Sequence, residues 1–456
     1  MTRLNKTLFF LICTAGVCTT LAYGTVHQPV IALFYLFVSI LGVLWAAESF
    51  LSGRLLFSRS VLQIPLLLLG IYAVVQVIPF GTAAAEGGIE GAARTISLDP
   101  FATQVVALHI FALCIFFAIP LVVIDTAGRL RRICNVITLF GFLYAFYAIL
   151  QSVLSPERIY GIYKPFAGVP FGSFVNKHNY AAIIEMAMAI PMGLIFVGAI
   201  RTEKRLLYVV AIVLMGSSLL LSGSRGGLVA LFAEIILIII LTSRAKGRKN
   251  LVLKVALSSL LVAAAIGGAI FVGGDTSLTR FSETATSDDI SSSRIHIWGV
   301  TLKVISYNLP LGAGLGAYAQ AYTRYDPSGG YERVEQAHND YLQIVADAGI
   351  VGLIIGALFL FWFFREGIRN ASGSNTFRRG VAVGAFAGCF AILIHSLFDF
   401  VLHITAVSVM FLTLIAILVA SGREYDDDID EFDQTRSKRR RSATVTSIEG
   451  KQVKTP

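Results

Sequence analysis

The sequence predicts an all-α polytopic membrane protein, and three observations lead to this prediction. Hydrophobic residues make up 56% of the 456 residues and charged residues only 14%, whereas soluble domains carry about 25% charged residues. The mean hydropathy is +0.74. Apolar runs close to the length that crosses a bilayer recur along the chain, and we expect about 12 transmembrane helices from them.

The predicted spans follow one another with short polar connections, except at one place. A long polar segment at about 274–342 separates the ninth span from the tenth. The predicted spans lie at about 7–25, 30–50, 60–80, 102–124, 133–154, 179–200, 206–222, 227–243, 251–273, 343–364, 380–398 and 403–421.

Basic residues predict the orientation. An even number of spans places both termini on one side, and the loops of that side together with the termini hold 27 of the 37 Lys and Arg residues. Because cytoplasmic loops carry the excess of positive charge, we expect both termini in the cytoplasm and segment 274–342 outside it. The net charge of +9 is explained by these loops and does not point to nucleic acid.

The chain divides into a membrane domain at 1–421 and a charged cytoplasmic tail at 422–456. The tail runs from an acidic block at 426–431 to a basic block at 438–441 and lacks apolar residues to form a core, so we expect disorder. The basic block suits a solvated tail or a contact with anionic lipid. The cysteines all fall in or beside apolar spans, so we expect no disulfide framework. They are Cys13, Cys18, Cys114, Cys134 and Cys389.

The start of the first span has some features of a signal peptide. Arg3 and Lys6 precede an apolar core, as they would in such a peptide. Further spans follow at once, and we therefore predict that this segment is the first transmembrane helix.

His338 is the strongest candidate for a catalytic group. It lies at the mouth of a predicted span, directly after the long outer segment, and Asn339 follows it. A general base needs access to water-side substrates and a rigid mount, and histidine changes charge near neutral pH. A residue that only caps the helix is the alternative interpretation.

Arg225 interrupts about forty otherwise apolar residues, within Ser222-Gly223-Ser224-Arg225-Gly226-Gly227. An arginine at membrane depth costs about 2.5–3.5 kcal/mol on the lenient scale, so we expect it to face a polar cavity. Its planar guanidinium suits phosphate oxygens. The alternative is an arginine that reaches the outer membrane surface.

Other polar residues stand at outward ends of spans or in the long segment. Asn176 and Lys177 begin one span, where they suit helix capping, an interface position or a phosphate. His395 and Asp399 are four residues apart and would face each other on a helix. Gly312, Gly314 and Gly316 lack the strand and the Lys-Ser/Thr of a nucleotide loop, so close backbone packing explains them better. No metal-ligand motif appears, and we expect no metal.

These motifs together resemble the O-antigen ligase / polysaccharide polymerase family of bacterial membrane glycosyltransferases. The resemblance runs from about 172 to 406 and rests on the order of motifs around the long outer segment. They are Gly172-Ser173-Phe174-x-Asn176, Ser222 to Gly227, Arg294 with Trp298, Pro310-x-Gly312-x-Gly314, His338-Asn339-x-x-Leu342, Asp347-x-Gly349-x-x-Gly352 and His395 through Asp399. The family pattern has Glu at the position of Asp347.

The resemblance implies a GT-C-like, metal-independent, inverting transferase of the bacterial inner membrane, with its active site in the periplasm and no cofactor. Its donor is a glycan on undecaprenyl diphosphate, and its acceptor is lipid A-core of lipopolysaccharide, a growing glycan or a protein. His338 matches the family's general base and Arg225 its diphosphate-binding residue. Further substrate contacts are expected at Arg294, Arg280, Asn339, Asn176 and Lys177, and supporting roles at Asp347, His395 and Asp399.

Two other function classes compete with this hypothesis. A secondary transporter fits twelve spans with both termini inside, but transporters have related halves, and the two halves of this chain show no similarity. A non-catalytic component of polysaccharide assembly is the other alternative. The polar residues of interest cluster on one side of the membrane, which favours catalysis there.

Overall fold

The computed structural model describes residues 2–81, 94–166, 168–243, 252, 254–271, 289–327 and 333–425, and those residues form helices and loops without a β-strand. Fourteen α-helices occur in these ranges. They are α1 Arg3–Leu21, α2 Gln28–Ser52, α3 Gln63–Val77, α4 Pro100–Val123, α5 Ala127–Leu154, α6 Lys177–Val197, α7 Thr202–Ser222, α8 Arg225–Ser243, α9 Lys254–Phe271, α10 Asp289–Asn308, α11 Tyr318–Tyr325, α12 Asp340–Ala371, α13 Thr376–His395 and α14 Thr405–Ser421.

The prediction of a helical, multi-pass membrane protein is confirmed. Within the described ranges, 10 helices are long and apolar enough to span a bilayer. The helices α3 and α14 occupy the third and twelfth predicted spans, but they have only 15 and 17 residues. At 1.5 Å per residue they are about 22–26 Å long, shorter than a typical hydrocarbon core. The predicted count of 12 is therefore supported only as 10 long helices and two short apolar ones.

Helices α6 and α13 form the centre of the bundle. Both are buried along most of their length. A Cβ atom on Gly193 would lie 2.4 Å from the backbone nitrogen of Gly384, so only glycine lets the two backbones approach this closely. Small residues at helix contacts are the usual means of close packing in a membrane. This close contact fixes the start of α6 and the end of α13 relative to each other.

Helices α10 and α11 pack against the start of α12. The indole Nε1 of Trp298, on α10, donates to the backbone oxygen of Ala337 at 3.0 Å. Val300, Val304, Tyr318 and Tyr322 form a separate small apolar core there. Helix α10 is thereby held beside the residue that precedes His338.

Contacts with the helical bundle continue past the end of α14 at Ser421. The guanidinium of Arg423 donates to the backbone oxygens of Leu121 and Ile124, at 2.6 and 3.2 Å, and Tyr425 is buried. Residues 422–425 are thus packed against the bundle. The charged blocks of the tail lie outside the described residues, as does most of the basic connection before α9.

Candidate active site

Polar side chains from five helices and from the turn between α13 and α14 meet at one end of the bundle. Helices α6, α8 and α12 begin there, α13 ends there, and α10 packs alongside. The chain between α13 and α14, residues 396–404, crosses this end, and we refer to it as the outer turn. The first backbone N–H groups of each helix have no partner within the helix, and a polar side chain caps them. This end of the bundle is polar for that reason.

Asp399, in the outer turn, is the centre of the cluster. Its Oδ1 lies 3.2 Å from Nδ1 of His338, and its Oδ2 lies 3.7 Å from a guanidinium nitrogen of Arg294 and 4.0 Å from Nδ1 of His178. The side chain is only 2% exposed. Three groups that are or can become cations therefore surround one buried carboxylate.

The surroundings of Asp399 keep it ionised. Burial by itself raises its pKa, but the hydrogen bond from His338 and the electrostatic interactions with His178, His338 and Arg294 outweigh burial, and the pKa falls well below its ordinary value. A buried carboxylate keeps its charge only when it is paired and hydrogen-bonded, as here. Asp399 can therefore orient and stabilise a neighbouring cation at neutral pH.

His338 is positioned as the exposed partner of this pair. Its side chain is 32% exposed, and its ring packs edge-on against Phe400 with 4.9 Å between ring centres. The residue has φ of +49°, an uncommon conformation that side chains adopt mainly in special turns. With Nδ1–H bound to Asp399, the neutral ring keeps its lone pair on Nε2, as a general base requires.

A second His–Asp pair crosses between the same two chain segments. Asp340 comes two residues after His338, and its Oδ1 lies 2.7 Å from Nδ1 of His403 in the outer turn. Its Oδ2 accepts a hydrogen bond from the hydroxyl of Ser396 at 2.7 Å. The start of α12 thus supplies His338 and Asp340, and the outer turn supplies their partners. His338 pairs with Asp399, and Asp340 pairs with His403. This arrangement holds the outer turn against the start of α12.

The two asparagines predicted to touch substrate cap helices. Oδ1 of Asn339 accepts from the backbone N–H groups of Tyr341 and Leu342, and its Nδ2 donates to the backbone oxygen of Leu397. Oδ1 of Asn176 accepts from the backbone N–H of His178 at 2.9 Å. The capping interpretation of Asn176 is therefore correct, and these contacts give both side chains a positioning role.

Arg225 is the first residue of α8, and its side chain is partly buried. The hydroxyl of Ser224, directly before it, accepts from the backbone N–H of Gly227 at 3.1 Å and lies 2.8 Å from Nδ1 of His178. A Cβ on Gly226 would lie 2.9 Å from the ring of His395 and 3.3 Å from Phe398. The glycines therefore let the start of α8 press against the outer turn and bring Arg225 to this end of the bundle.

His395 and Asp399 do not form the helical i, i+4 pair that the sequence suggested. Helix α13 ends at His395, and the chain turns before Asp399. Nδ1 of His395 lies 3.1 Å from Oε1 of Glu185, on α6, and both side chains have no exposed surface. His395 thus pairs inward while Asp399 pairs with His338.

Asp347 lies apart from the Asp399 cluster. Its Oδ2 accepts from Nε2 of Gln343 at 3.2 Å and from the backbone N–H of Gly316 at 3.4 Å. A Cβ on Gly312 would lie 2.5 Å from the backbone carbon of Asp347. These glycines therefore serve close backbone packing, as predicted, and the contacts of Asp347 join the segment 310–316 to α12.

Two predicted substrate contacts remain. Lys177 is the first residue of α6, partly buried and next to His178. Arg280 lies outside the described residues. As for metals, no group of three His, Cys, Asp or Glu side chains with metal-binding geometry occurs in the part of the chain that the structure describes.

Sequence reasoning assigned no role to five polar residues of this region, although some of them stand within the quoted motifs: His178, Glu185, Ser224, Asp340 and His403. Asp340 and His403 carried a usable signal, because each is a titratable residue within a few positions of a residue already singled out. Glu185 interrupts an apolar helix, which indicates a partner inside the bundle. Its pairing with His395, 210 positions away, carries no local signature.

The fold and this cluster define a class: a multi-pass membrane protein with an accessible histidine–carboxylate pair at the end of its helical bundle. Residues 210–357 match the family model described as O-antigen ligase. This match, which includes Arg225, Arg294 and His338, confirms the resemblance to the O-antigen ligase family and supports ligase- or polymerase-type enzyme activity. No curated protein matches the chain.

Proposed function

We propose that this protein transfers a glycan from a polyprenyl diphosphate donor to an acceptor hydroxyl at the outer face of the bacterial inner membrane. The product would be ligated O-antigen or an extended surface or exopolysaccharide. The observation that carries the proposal is the His338–Asp399 pair, with Arg294 on the same carboxylate, at one end of a membrane bundle. The match to the O-antigen ligase family supports the reaction class.

The proposed reaction is one displacement assisted by a general base. Nε2 of His338 takes the proton of the acceptor hydroxyl as its oxygen attacks the anomeric carbon of the donor glycan. The bond from that carbon to the phosphate oxygen breaks, and the polyprenyl diphosphate leaves with the electron pair. Base assistance of this kind contributes typically about 10²–10⁴-fold. Attack opposite the leaving group inverts the anomeric centre.

Asp399 would hold His338 in the required tautomer and stabilise the imidazolium that forms. Arginine suits the leaving diphosphate, because its planar guanidinium binds two phosphate oxygens at once. We assign this role to Arg225 and Arg294, which lie on two different helices, α8 and α10. Charge stabilisation in a site with little water is worth more than at an open surface.

A transfer assay with defined components tests the proposal. Purified full-length protein in nanodiscs receives a polyprenyl-diphosphate-linked glycan and separate acceptors: lipid A-core, free glycan or a hydroxyl-bearing peptide. We expect linked product with one acceptor, with and without chelator, and at least a 100-fold loss in His338→Ala and Arg225→Ala. His296→Ala is the matched control, because His296 pairs with Asp326 at 3.1 Å instead of with Asp399.

Two results would overturn the proposal. One is an intact donor with every acceptor, while a known enzyme consumes the same donor. The other is near-normal transfer by His338→Ala and Arg225→Ala that are inserted and folded like wild type. A secondary transporter would instead move a solute across sealed vesicles without breaking the donor's sugar–phosphate bond, and a non-catalytic assembly component would do neither.

A further inference from the structure

A deep groove lies between α1 and α5, at the end of the bundle opposite the Asp399 cluster. It encloses about 800 Å³. Most of its lining is apolar, and its basic residues lie at the starts of the two helices. Residues that define it are Lys6, Phe10, Thr14 and Val17 of α1, and Arg132 and Val136 of α5.

The length of the groove along α1 matches the thickness of one lipid leaflet. Lys6 and Val17 are eleven residues apart on α1, which corresponds to about 16 Å along the helix. Half of the hydrocarbon core of a bilayer is about 15 Å thick. The face is open to the surroundings, since Phe10 is 63% exposed. The apolar part of the groove therefore matches the acyl region of a single leaflet.

The charge at the mouth of the groove comes from Lys6 and Arg132, which are both exposed. A third cation, Arg129, also lines the groove, but its guanidinium donates to the backbone oxygens of Val123 and Asn5 and pairs with Asp125. Arg129 is thus already neutralised within the protein. Lys6 and Arg132 provide the positive charge at the mouth of the groove.

We propose that this groove binds an anionic phospholipid, with its phosphate at Lys6 and Arg132 and its acyl chains along α1 and α5. Basic pockets between transmembrane helices on the cytoplasmic side suit such headgroups, and each basic residue near an anionic surface strengthens the attraction. The starts of α1 and α5 share the side to which the basic loops are assigned. The bound lipid fills the space between α1 and α5 and ties the N-terminal helix to the bundle.

Lipid retention by the purified full-length protein tests this proposal. Native mass spectrometry in detergent, after addition of phosphatidylglycerol or phosphatidylcholine, reports which lipid stays bound. We expect wild type to retain phosphatidylglycerol in preference to phosphatidylcholine, and Lys6→Gln/Arg132→Gln to retain about tenfold less of it. Arg54→Gln/Arg201→Gln is the matched control, because both residues are exposed and assigned to the same side; its retention should equal that of wild type.

A filling substitution tests the acyl part of the groove separately. Val17→Trp leaves both basic residues in place and occupies apolar space, so it should reduce retention of both lipids. Inorganic phosphate should not displace the lipid, because it lacks the acyl chains. Equal retention of the two lipids by wild type would overturn the proposal without use of any variant. Unchanged retention by Lys6→Gln/Arg132→Gln would also overturn it.

Discussion

Two histidine–carboxylate pairs lie near each other in this protein and differ in their access to water. His338 and Asp399 are 3.2 Å apart, with the histidine 32% exposed, whereas His395 and Glu185 are 3.1 Å apart with neither side chain exposed. A histidine paired with a carboxylate can therefore have a different role in each place. Only the first can exchange a proton with a substrate, while the second ties α13 to α6 inside the bundle.

The energetics of the two pairs differ accordingly. Removing one partner of a fully buried pair leaves an uncompensated charge or polar group and costs about 3–5 kcal/mol. The His338–Asp399 pair should lose less stability, because His338 is 32% exposed to water and Arg294 and His178 remain beside Asp399 when His338 is replaced. Substitutions at His338 and Asp399 should therefore act on catalysis, and substitutions at His395 and Glu185 on folding. The predictions below test this contrast, in order of their expected effect on the transfer rate.

Asp399→Asn should have the largest effect on transfer. An amide at this position can favour the wrong tautomer of His338 and cannot stabilise its cation, and the comparable change in a serine protease triad costs about 10⁴-fold. We expect kcat to fall by about 10³-fold or more, with normal insertion. Asp326→Asn is the matched control, because it breaks the His296 pair of the outer segment instead. Equal kcat values for wild type and Asp399→Asn would remove Asp399 from the mechanism.

Arg294→Gln should come next. The substitution removes a cation that lies 3.7 Å from Asp399 and that we assign to the donor diphosphate. Loss of one charged donor to a transition state typically costs about 10²-fold, and kcat/KM for the donor measures it. Arg333→Gln, also in the outer segment but exposed and paired with Glu335, should retain the wild-type value. If kcat/KM for the donor falls equally in Arg294→Gln and Arg333→Gln, the loss reflects the net charge of the segment rather than Arg294.

His403→Phe should lower transfer by about tenfold, because it breaks the crosswise pair with Asp340 and loosens the outer turn that carries Asp399. His403→Asn places an amide donor near the position of Nδ1 and should recover most of the rate. The comparison of kcat for these two variants separates the hydrogen bond from ring packing. A common loss in both variants would assign the effect to the ring alone.

Gly226→Ala should reduce kcat about fivefold, because the added methyl group would lie 2.9 Å from His395 and push the start of α8 from the outer turn. The same substitution at Gly299, in α10, meets no atom within 4 Å and is the control. Both variants should show the same or higher helicity, since alanine favours helices. The measurement is the transfer rate of Gly226→Ala and of Gly299→Ala, each at the same concentration of folded protein.

Glu185→Gln should have the smallest effect on the rate and a large effect on stability. The folded fraction should transfer glycan at a rate within about twofold of wild type, while unfolding becomes easier by about 3 kcal/mol or more. Thermal unfolding monitored by circular dichroism, beside the transfer assay, measures both quantities. A rate loss as large as that of Asp399→Asn would show that the buried pair also takes part in the chemistry.

Local sequence patterns were enough to predict those features that a short stretch of the chain determines by itself. Long apolar runs produce helices in a bilayer because backbone groups have no water to bond with there. Asn176 and Asn339 cap helices because their side-chain oxygens reach the first free N–H groups. His338 could be singled out as a candidate because it combines a titratable side chain with a helix start beside a long polar segment.

The partners of these residues were decided by tertiary structure. His395 and Asp399 are four residues apart in sequence and suggested a helical pair, yet α13 ends at His395, and packing directs His395 towards Glu185 and Asp399 towards His338. The pairings of His338 with Asp399, Asp340 with His403 and His395 with Glu185 join residues 61, 63 and 210 positions apart. The periodicity of a sequence predicts contacts only between residues that are a few positions apart. The charge environment of Asp399 depends on helices that converge from distant parts of the chain, and only their packing determines it.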